Sequence, residues 1–421
     1  MSEPAPDGRR PAAVALVLVL GMIAVVITAA VGYRLLGGCA SGSDPGTVAA
    51  PADPPGDADR ATATAVTTAG LPVTPLWSTG AAARGAAAIG ASADTVFVPQ
   101  RGSNGPDGSV LRAHDPATGA VRWQRTGPVL GATGTVLAAE GVAVVTGGTR
   151  DGRGEVAAFR EPTGELLWCV RLSVGAPGLV DLLGDGADTV VLVERGGGTA
   201  TVTALGTRDG RQRWRTEVPA AEDGVPVLAP GDDGVVALPG AGGARVVALD
   251  LATGTQRWDH DGPEHPQPLL GAPGRVVART DGGAAGLAAA DGTDAWAPLR
   301  GAGPGAPRFG WVDGDLAVLD RPGSGLLARR LSDGTVGWQL GWRDLGVRPP
   351  AGTPPAAATG GRRVVANGAT VLVLDPATGA AGAGTVDGGA LDALAADPTG
   401  TVLVARNGDR VTAFRPGGAG R

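Results

Sequence analysis

The densest group of side chains able to do chemistry lies between Asp259 and His265. It places two imidazoles, His260 and His265, beside the carboxylates of Asp261 and Glu264. Imidazole nitrogens and carboxylate oxygens together make a donor set that suits transition metals. Pro263 interrupts the group and Pro266 directly follows it, so no helix can space the imidazoles regularly. A solvated polar loop is the favoured interpretation, with His260, Asp261 and His265 as weak candidates for metal ligands.

Trp342 and Arg343 form a second candidate site, within the long connection 339–361. Tryptophan and arginine are enriched at the energetic centres of protein interfaces, so this pair is a candidate partner anchor. The indole could equally fold back onto the body of the protein. The sequence contains no nucleophile-elbow, zinc-protease or phosphate-loop signature. We therefore predict no catalytic residue and no cofactor.

A repeat that runs through most of the chain must position these side chains. Its clearest copies, 113–123 and 248–258, share an Asp-led turn, a glycine and, four residues later, a tryptophan. Glycine accommodates the positive φ of a hairpin loop, and the fixed gap decides which face of the next strand the indole occupies. The tryptophans predicted to have this structural docking role are Trp77, Trp123, Trp168, Trp214, Trp258, Trp296 and Trp338.

The spacing of the repeat predicts a closed all-β fold. Including Ala383, which stands where the indole is expected after Gly379, the eight positions lie 38 to 46 residues apart. Another apolar strand lies between successive copies, and such periods are typical of propeller blades. We predict an eight-bladed β-propeller over 74–421. Pairing the strand of Trp77 with the C-terminal strand 410–416 would close the ring and leave no exposed edge.

The motif AxDxxTGxxxW at 113–123 and 248–258 resembles the tryptophan-docking motif of the PQQ-like (pyrroloquinoline quinone) β-propeller superfamily. That superfamily includes quinoprotein alcohol dehydrogenases and BamB-type outer-membrane assembly lipoproteins. The resemblance covers about 74 to 416 and implies that the indoles stack between neighbouring blades. The dehydrogenases also hold calcium through Glu and Asn, beside a catalytic Asp and commonly a pair of adjacent cysteines. This chain has no such cysteine pair, and Asn104, Asn367 and Asn407 match no such motif, so the resemblance extends to the fold alone.

The N-terminal part has the pattern of a membrane anchor followed by a tether. Residues 1–10 are predicted to be a short cytoplasmic tail, and 11–33 carry no charge over a length that crosses a bilayer as a helix. Residues 34–73 are predicted to be a disordered, flexible linker rich in Ala, Pro and Gly. The alternative is a lipoprotein, because 35–42 resembles a lipobox that would be lipidated at Cys39. Both interpretations place the propeller on the extracytoplasmic side of the cytoplasmic membrane.

Charge and cysteine content narrow the function classes further. The net charge is −6 and the basic residues are scattered, which argues against a nucleic-acid-binding surface. Two cysteines, Cys39 and Cys169, are too few for a disulfide framework. Cys169 follows Trp168 on a predicted strand and is expected to be a small core residue.

Three long connections, 99–109, 259–268 and 339–361, emerge on one face of the predicted ring by strand order. Long loops on a rigid scaffold are where binding usually resides. The favoured hypothesis is a membrane-anchored extracytoplasmic propeller that acts as a non-catalytic binding or scaffold protein for protein or cell-envelope partners. The alternative is a PQQ- or metal-dependent oxidoreductase or a ligand sensor.

Overall fold

The computed structural model describes residues 53–80, 89–102, 105–126, 135–148, 154–172, 180–184, 188–222, 224–232, 234–243, 245–262, 265–281, 283–297, 307–397 and 399–417. The predicted tail 1–10, the predicted transmembrane segment 11–33 and Cys39 lie outside these residues. Within the described ranges, no helix combines the length and the apolar character needed to cross a bilayer.

The described strands form eight four-stranded antiparallel sheets, which are the blades of a closed ring, as predicted. Seven blades use consecutive strands. Blade 1 comprises β2 (Gly90–Ala91), β3 (Val96–Gly102), β4 (Gly105–His114) and β5 (Val121–Thr126), and blade 2 comprises β6 (Val136–Ala139), β7 (Val142–Gly148), β8 (Gly154–Arg160) and β9 (Leu166–Arg171). Blade 3 comprises β10 (Val180–Gly184), β11 (Thr189–Gly196), β12 (Thr199–Gly206) and β13 (Gln212–Pro219). Blade 4 comprises β14 (Val227–Ala229), β15 (Val235–Pro239), β16 (Arg245–Asp250) and β17 (Gln256–Asp261).

Blades 5 to 7 continue in the same order. Blade 5 comprises β18 (Gln267–Ala272), β19 (Arg275–Thr280), β20 (Gly283–Ala288) and β21 (Asp294–Trp296). Blade 6 comprises β22 (Gly310–Asp313), β23 (Leu316–Arg321), β24 (Gly325–Arg330) and β25 (Val336–Gly341). Blade 7 comprises β26 (Ala356–Thr359), β27 (Arg362–Asn367), β28 (Thr370–Leu374) and β29 (Ala381–Thr385).

Blade 8 is assembled from both ends of the propeller. Its first three strands are β30 (Ala393–Ala396), β31 (Leu403–Asn407) and β32 (Arg410–Pro416), and its fourth is β1 (Val73–Gly80). Trp77 on β1 stands opposite Ala413 on β32. This pairing closes the ring and confirms the predicted joining of the two ends.

The apolar core lies between the blades rather than in one central cluster. Middle strands are covered on both faces by neighbouring blades, and β15 is accordingly buried at every position. Fourth strands form the outer edge and bury alternate residues, so β17 buries Trp258 between exposed or half-exposed neighbours. A continuous run of apolar residues therefore indicates a middle strand of a blade, and an alternating pattern indicates the outer strand.

Seven indoles connect each blade to the next. Each indole Nε1–H donates to a backbone carbonyl in the turn between the third and fourth strands of the following blade, over 2.6 to 3.3 Å. The donor and acceptor pairs are Trp77 with Pro116, Trp123 with Glu161, Trp168 with Thr207, Trp214 with Leu251, Trp258 with Ala289, Trp296 with Leu331, and Trp338 with Pro376. All seven tryptophans are buried.

The glycine of each turn is where the ring of the preceding blade rests. Gly254 lies against the Trp214 ring at φ 72°, and a methyl group added there would come under 3.0 Å from the indole. The same is true of Gly164, Gly210, Gly292, Gly334 and Gly379 toward the indoles before them. The turn therefore requires glycine for two reasons, its left-handed backbone and the absence of a side chain.

In three of the turns an aspartate at the first position, Asp115, Asp250 or Asp375, holds the backbone in place. Oδ1 of Asp250 accepts hydrogen bonds from the amides of Ala252 and Thr253 and from the Thr253 hydroxyl. Burial raises the pKa of Asp250, but hydrogen bonds from Arg257 and Thr253 outweigh burial and leave the pKa below its ordinary value. Asp115 makes the equivalent contacts in blade 1. These contacts confirm the expected function of Asp and Thr at the turn.

Blade 7 is the exception to this arrangement. Ala383 takes the place of the indole and stands opposite Leu372, whereas the docking tryptophans stand opposite alanine or glycine. The following turn is also missing, because the gap between β32 and β1 is where the propeller begins and ends. The seam between blades 7 and 8 therefore has neither an indole nor a turn to receive one.

A helix packs at the seam between blades 7 and 8. Helix α1 (Asp57–Thr68) packs against the outer strand of blade 7, and methyl groups on Gly382 and Gly384 would come under 3.0 Å from the carbonyl oxygens of Ala69 and Ala65. Its buried side chains join the core between blades 7 and 8. The predicted linker 34–73 is thus wrong over this stretch. The buried positions recur at helical spacing, but they are Thr, Ala and Val in an Ala/Thr-rich stretch, and small side chains give a weak apolar signal.

Asp59 fastens α1 to blade 8. Its carboxylate pairs with Arg410 Nε at 3.0 Å and accepts hydrogen bonds from the Thr412 hydroxyl and the Gly56 amide. Burial raises the pKa of Asp59, but the hydrogen bonds from Thr412, Gly56 and Arg410 outweigh burial and leave the pKa below its ordinary value. The helix is therefore held by a charged group that must remain ionised.

We predict that Gly254→Ala destabilises the ring more than Gly274→Ala. Both glycines have φ near 70°, so both substitutions carry the same left-handed strain of about 1–2 kcal/mol. Only the methyl at 254 meets an indole, while the methyl at 274 meets open space. Overpacking adds about 1–3 kcal/mol, which denaturant unfolding of the two variants measures directly. Equal losses would show that the Trp214 ring does not rest on this glycine.

We predict that Asp59→Asn lowers the melting temperature at neutral pH and has little effect in acid. A carboxylate with a depressed pKa stabilises the folded state above its unfolded pKa and loses that contribution as pH falls through the folded pKa. The difference between wild type and variant should therefore shrink between about pH 5 and pH 3. The matched control is Asp57→Asn on the same helix, whose side chain is 98% exposed. A pH-independent difference at residue 59 would contradict the ionised contact.

Candidate partner-binding face

The strand order of the blades divides the connections between two faces of the ring. In each antiparallel blade, the turn between the third and fourth strands lies on one face. The connections between the second and third strands, and those between blades, lie on the other. We call the second face the loop face. The three long connections predicted from the sequence all belong to it, although most of 99–109 extends β3 and β4 rather than forming a loop.

The histidines do not converge. His260 lies on β17, and its Nδ1 is 3.0 Å from the carbonyl oxygen of Gly292. His265 has an exposed side chain whose Nδ1 is 2.8 Å from Asp281 Oδ2. Glu264 lies outside the described residues, and Asp261 ends β17 with its side chain exposed. No three His, Cys, Asp or Glu side chains of the described chain are grouped closely enough to hold a metal ion.

Trp342 is part of the core. Only 1% of its surface is exposed, and it packs with Phe309 and Leu326 between blades 6 and 7. Its amide donates to Ser324, and its carbonyl accepts from Val347, so the chain bends into a compact turn. The interpretation of Trp342 as an exposed partner anchor was therefore wrong, since the indole folds back onto the ring. Arg343 remains exposed beside it.

A groove of about 660 Å³ lies on the loop face between blades 6 and 7. One wall is the segment 347–351, which contains Pro349 and Pro350, and the other side includes the β23–β24 turn and the start of β28. Asn367 Nδ2 donates to the carbonyl oxygen of Arg348 at 2.7 Å and so fastens the proline-containing wall to blade 7. The groove is thus part of the folded ring and does not require a partner to form it.

The rim of the groove is positively charged. Arg348 lines the groove, is exposed, and forms no ion pair with any described residue. Arg308 also lines the groove and pairs through Nε with Asp320 Oδ2 at 3.0 Å. Burial raises the pKa of Asp320, an effect that the Arg308 contact only partly offsets. A ligand in this groove would meet proline rings and a valine on one side and guanidinium groups at the edge.

Sequence reasoning found the connection that builds this groove but not its key residues. Arg308, Arg348 and Asn367 come from separate connections of two blades, and nothing in their spacing brings them together. The adjacent Pro349 and Pro350 were the available signal, because two prolines favour an extended segment that remains at the surface.

The described residues do not fit a calcium and quinone site. Asn367 is committed to the Arg348 carbonyl, and Asn407 lies at the β31–β32 turn of another blade. Neither is near a cluster of carboxylates that could complete the six or more oxygen ligands that calcium needs. Asn104 lies outside the described residues.

Comparison with solved structures identifies the same architecture in several proteins. BamB from Moraxella catarrhalis is 18% identical, with a TM-score of 0.53 over 82% of this chain and 99% of that one. Saccharomyces cerevisiae Sqt1 is 14% identical, with a TM-score of 0.58 over 82% and 98%. A quinohemoprotein alcohol dehydrogenase from Pseudomonas putida is 14% identical, with a TM-score of 0.51 over 83% and 77%. These likenesses establish the fold.

The sequence itself matches a family. No protein with a curated description matches the chain. The family model described as outer membrane protein assembly factor BamB matches at 74–197, 106–261, 152–296 and 198–344, which together span more than half of the 421 residues. The chain therefore belongs to the BamB-type family of PQQ-like β-propellers.

Proposed function

We propose that this protein is a non-catalytic binding protein whose loop face holds an extended segment of a protein partner. The observation that carries the proposal is the preformed groove between blades 6 and 7. Its family is described as an outer membrane assembly factor, which is a scaffolding role rather than a catalytic one. Propellers offer such a face because their rigid blades leave the connections free to vary.

The chemistry of the groove favours an extended, acidic peptide. Val347, Pro349 and Pro350 offer an apolar wall that an extended chain can pack against. The guanidinium groups of Arg308 and Arg348, which line the groove, can pair with carboxylates and form bidentate hydrogen bonds. Arginine at the rim should increase the association rate and the selectivity for acidic partners more than the affinity.

We also propose that residues 11–33 anchor the chain in the cytoplasmic membrane and place the propeller on the extracytoplasmic side. This rests on the uncharged length of the segment and on Arg9 and Arg10 before it. The lipoprotein alternative at Cys39 predicts a mature chain that lacks residues 1–38. Mass spectrometry of the N-terminal peptide from membranes distinguishes the two, because only the uncleaved anchor retains residues before Cys39.

We predict that a photo-crosslinking residue at position 348, in the full-length chain in its membrane, captures one recurrent protein partner. The same residue at position 253 is the matched control, because Thr253 is equally exposed on the opposite face. Adding Arg308→Glu to the crosslinking chain should lower the yield several-fold by replacing the remaining cationic side chain that lines the groove. Arg211→Glu, in a turn of the opposite face, should not lower it. Equal capture at 348 and 253, or no capture at 348, would remove the support for the groove.

Binding of a quinone cofactor would contradict the proposal of a non-catalytic binding protein. Titration of the full-length protein with PQQ and calcium should give no saturable heat, because the described residues offer no cluster of ligands. Saturable binding of PQQ with calcium would instead identify a redox protein or a cofactor-dependent sensor.

A further inference from the structure

One side chain packs against each docking indole from the following blade, and it is the residue directly before the turn that receives the indole. We call it the cover residue. In five blades it is aromatic or aliphatic, so the indole packs against hydrocarbon. These cover residues are Phe159, Leu205, Leu249, Leu287 and Leu374, which pack with Trp123, Trp168, Trp214, Trp258 and Trp338 respectively. Blades 1 and 6 have ionisable cover residues instead, His114 against Trp77 and Arg329 against Trp296.

Arg329 has a partner for every nitrogen of its buried charge. Its guanidinium carbon lies 3.9 Å from the centroid of the Trp296 ring. The three nitrogens donate to the carbonyl oxygens of Gly334, Ala284 and Ala297 over 2.7 to 3.0 Å. Burial lowers the pKa of Arg329 to about 10, so the group remains a cation at neutral pH. Blade 6 thus shows that a cationic cover residue needs several carbonyl acceptors.

His114 has no such set of acceptors. Its ring stacks on Trp77 with the centroids 5.1 Å apart, and the residue is only 1% exposed. Nδ1 lies 2.9 Å from the Gly119 carbonyl oxygen and donates to it, so the unprotonated nitrogen of the neutral ring is Nε2. Nε2 is buried and has no hydrogen-bond partner among the described residues. A proton added at Nε2 would therefore find neither water nor a protein acceptor.

The charged groups around this imidazole do not offset a second proton. The described strands of blade 8 carry no ionisable side chain other than arginine. Asp397, in the β30–β31 turn, accepts hydrogen bonds from its own turn. On blade 1, Asp115 is paired with Arg122, and Arg125 donates to the Gly164 carbonyl of blade 2. The nearest field is that of Arg112, which is positive and opposes protonation.

We propose that His114 makes the seam between blades 8 and 1 sensitive to acid, because an imidazolium there loosens the Trp77 contact and the closing strand β1. Toward blade 7, blade 8 has helix α1 in place of an indole. Among the described residues, Trp77 is therefore the one docking indole that holds blade 8. The α1 contact also depends on charge, since Asp59 holds Arg410 as a carboxylate. Acid thus releases blade 8 in two steps, first from blade 1 and at lower pH from α1.

Protonation weakens this seam because the folded chain binds the proton less readily than the unfolded chain. Burial, the largest cause, lowers the pKa of His114 below its ordinary value of 6.5, the Gly119 carbonyl raises it in part, and Arg112 lowers it further. Between the folded and unfolded pKa values the unfolded state binds more protons, so stability is lost as pH falls below 6.5. Asp59, whose pKa lies below 3.8, loses its contribution at lower pH.

Hydrogen exchange of the full-length chain, read by mass spectrometry, tests this switch against His114→Leu. Leucine is the cover residue in four other blades, so this variant keeps a packed seam and cannot be protonated. Peptides from β1 should exchange several-fold faster in the wild type than in the variant at about pH 5.5, and this ratio should be much smaller at about pH 7.5. Because both chains are compared at the same pH, the intrinsic pH dependence of exchange cancels. An equal ratio at both pH values would overturn the proposal.

His114→Gln separates protonation from polarity, because an amide offers a donor and an acceptor but gains no charge. Between about pH 7.5 and about pH 5.5, the melting temperature of the wild type should fall by several degrees relative to both His114→Gln and His114→Leu. An acid-dependent loss that persists in His114→Gln would assign the effect to another group. The matched control replaces the other two histidines, His260 and His265, with asparagine and should retain the loss. Its disappearance there would likewise overturn the proposal.

The repeat also allows the switch to be moved to another seam. Leu249→His, in a chain that already carries His114→Leu, places an imidazole against Trp214 between blades 3 and 4. Exchange of β13, the strand of Trp214, should then accelerate in acid by several-fold relative to the parent chain, while exchange of β1 should not. Exchange of β13 that does not respond to acid would show that an imidazole against a docking indole is not the cause.

Discussion

The ring depends on one contact repeated around it, an indole of one blade resting on the glycine of the next. The indole N–H finds a carbonyl acceptor in the same turn, so a buried polar group is satisfied while a large apolar surface is covered. Because the glycine has no side chain, the ring and the backbone approach directly. Each contact fixes the angle between two blades, and a closed ring tolerates only one sum of those angles. Local packing of this kind therefore determines the number of blades.

The sequence predicted the elements whose physics is local. The constant gap between glycine and tryptophan, the Asp-led turn and the strand between copies depend on neighbours within about a dozen residues, and all were visible. The pairing of Trp77 with the last strand was also predictable, since a ring has to close. Helix α1 was not predicted, because its buried face uses alanine and threonine against glycines that lie more than 300 residues later. The burial of Trp342 and the grouping of Arg308 with Asn367 depend on contacts between separate connections that their spacing in the sequence does not reveal.

The two faces of the ring carry different constraints. The turns between third and fourth strands receive the indoles, so their backbone and their glycines cannot vary without loss of stability. The connections of the loop face receive no docking indole, so their residues are less constrained. The exception is Trp342, which packs into the core. A buried aromatic residue at the base of a variable connection holds that connection in place while its exposed residues remain free to change. The connection 339–361, which supplies the proline-containing wall of the groove, combines a buried indole with exposed arginines in this way.

The contact between Asp59 and Arg410 joins residues 351 positions apart in the chain. Helix α1 cannot pack in its final position until β29 and β32 have been synthesised. The chain is synthesised from its N-terminus, so the early strand β1 has an unpaired edge until the last blade is complete. Completion of the chain thus coincides with protection of that edge.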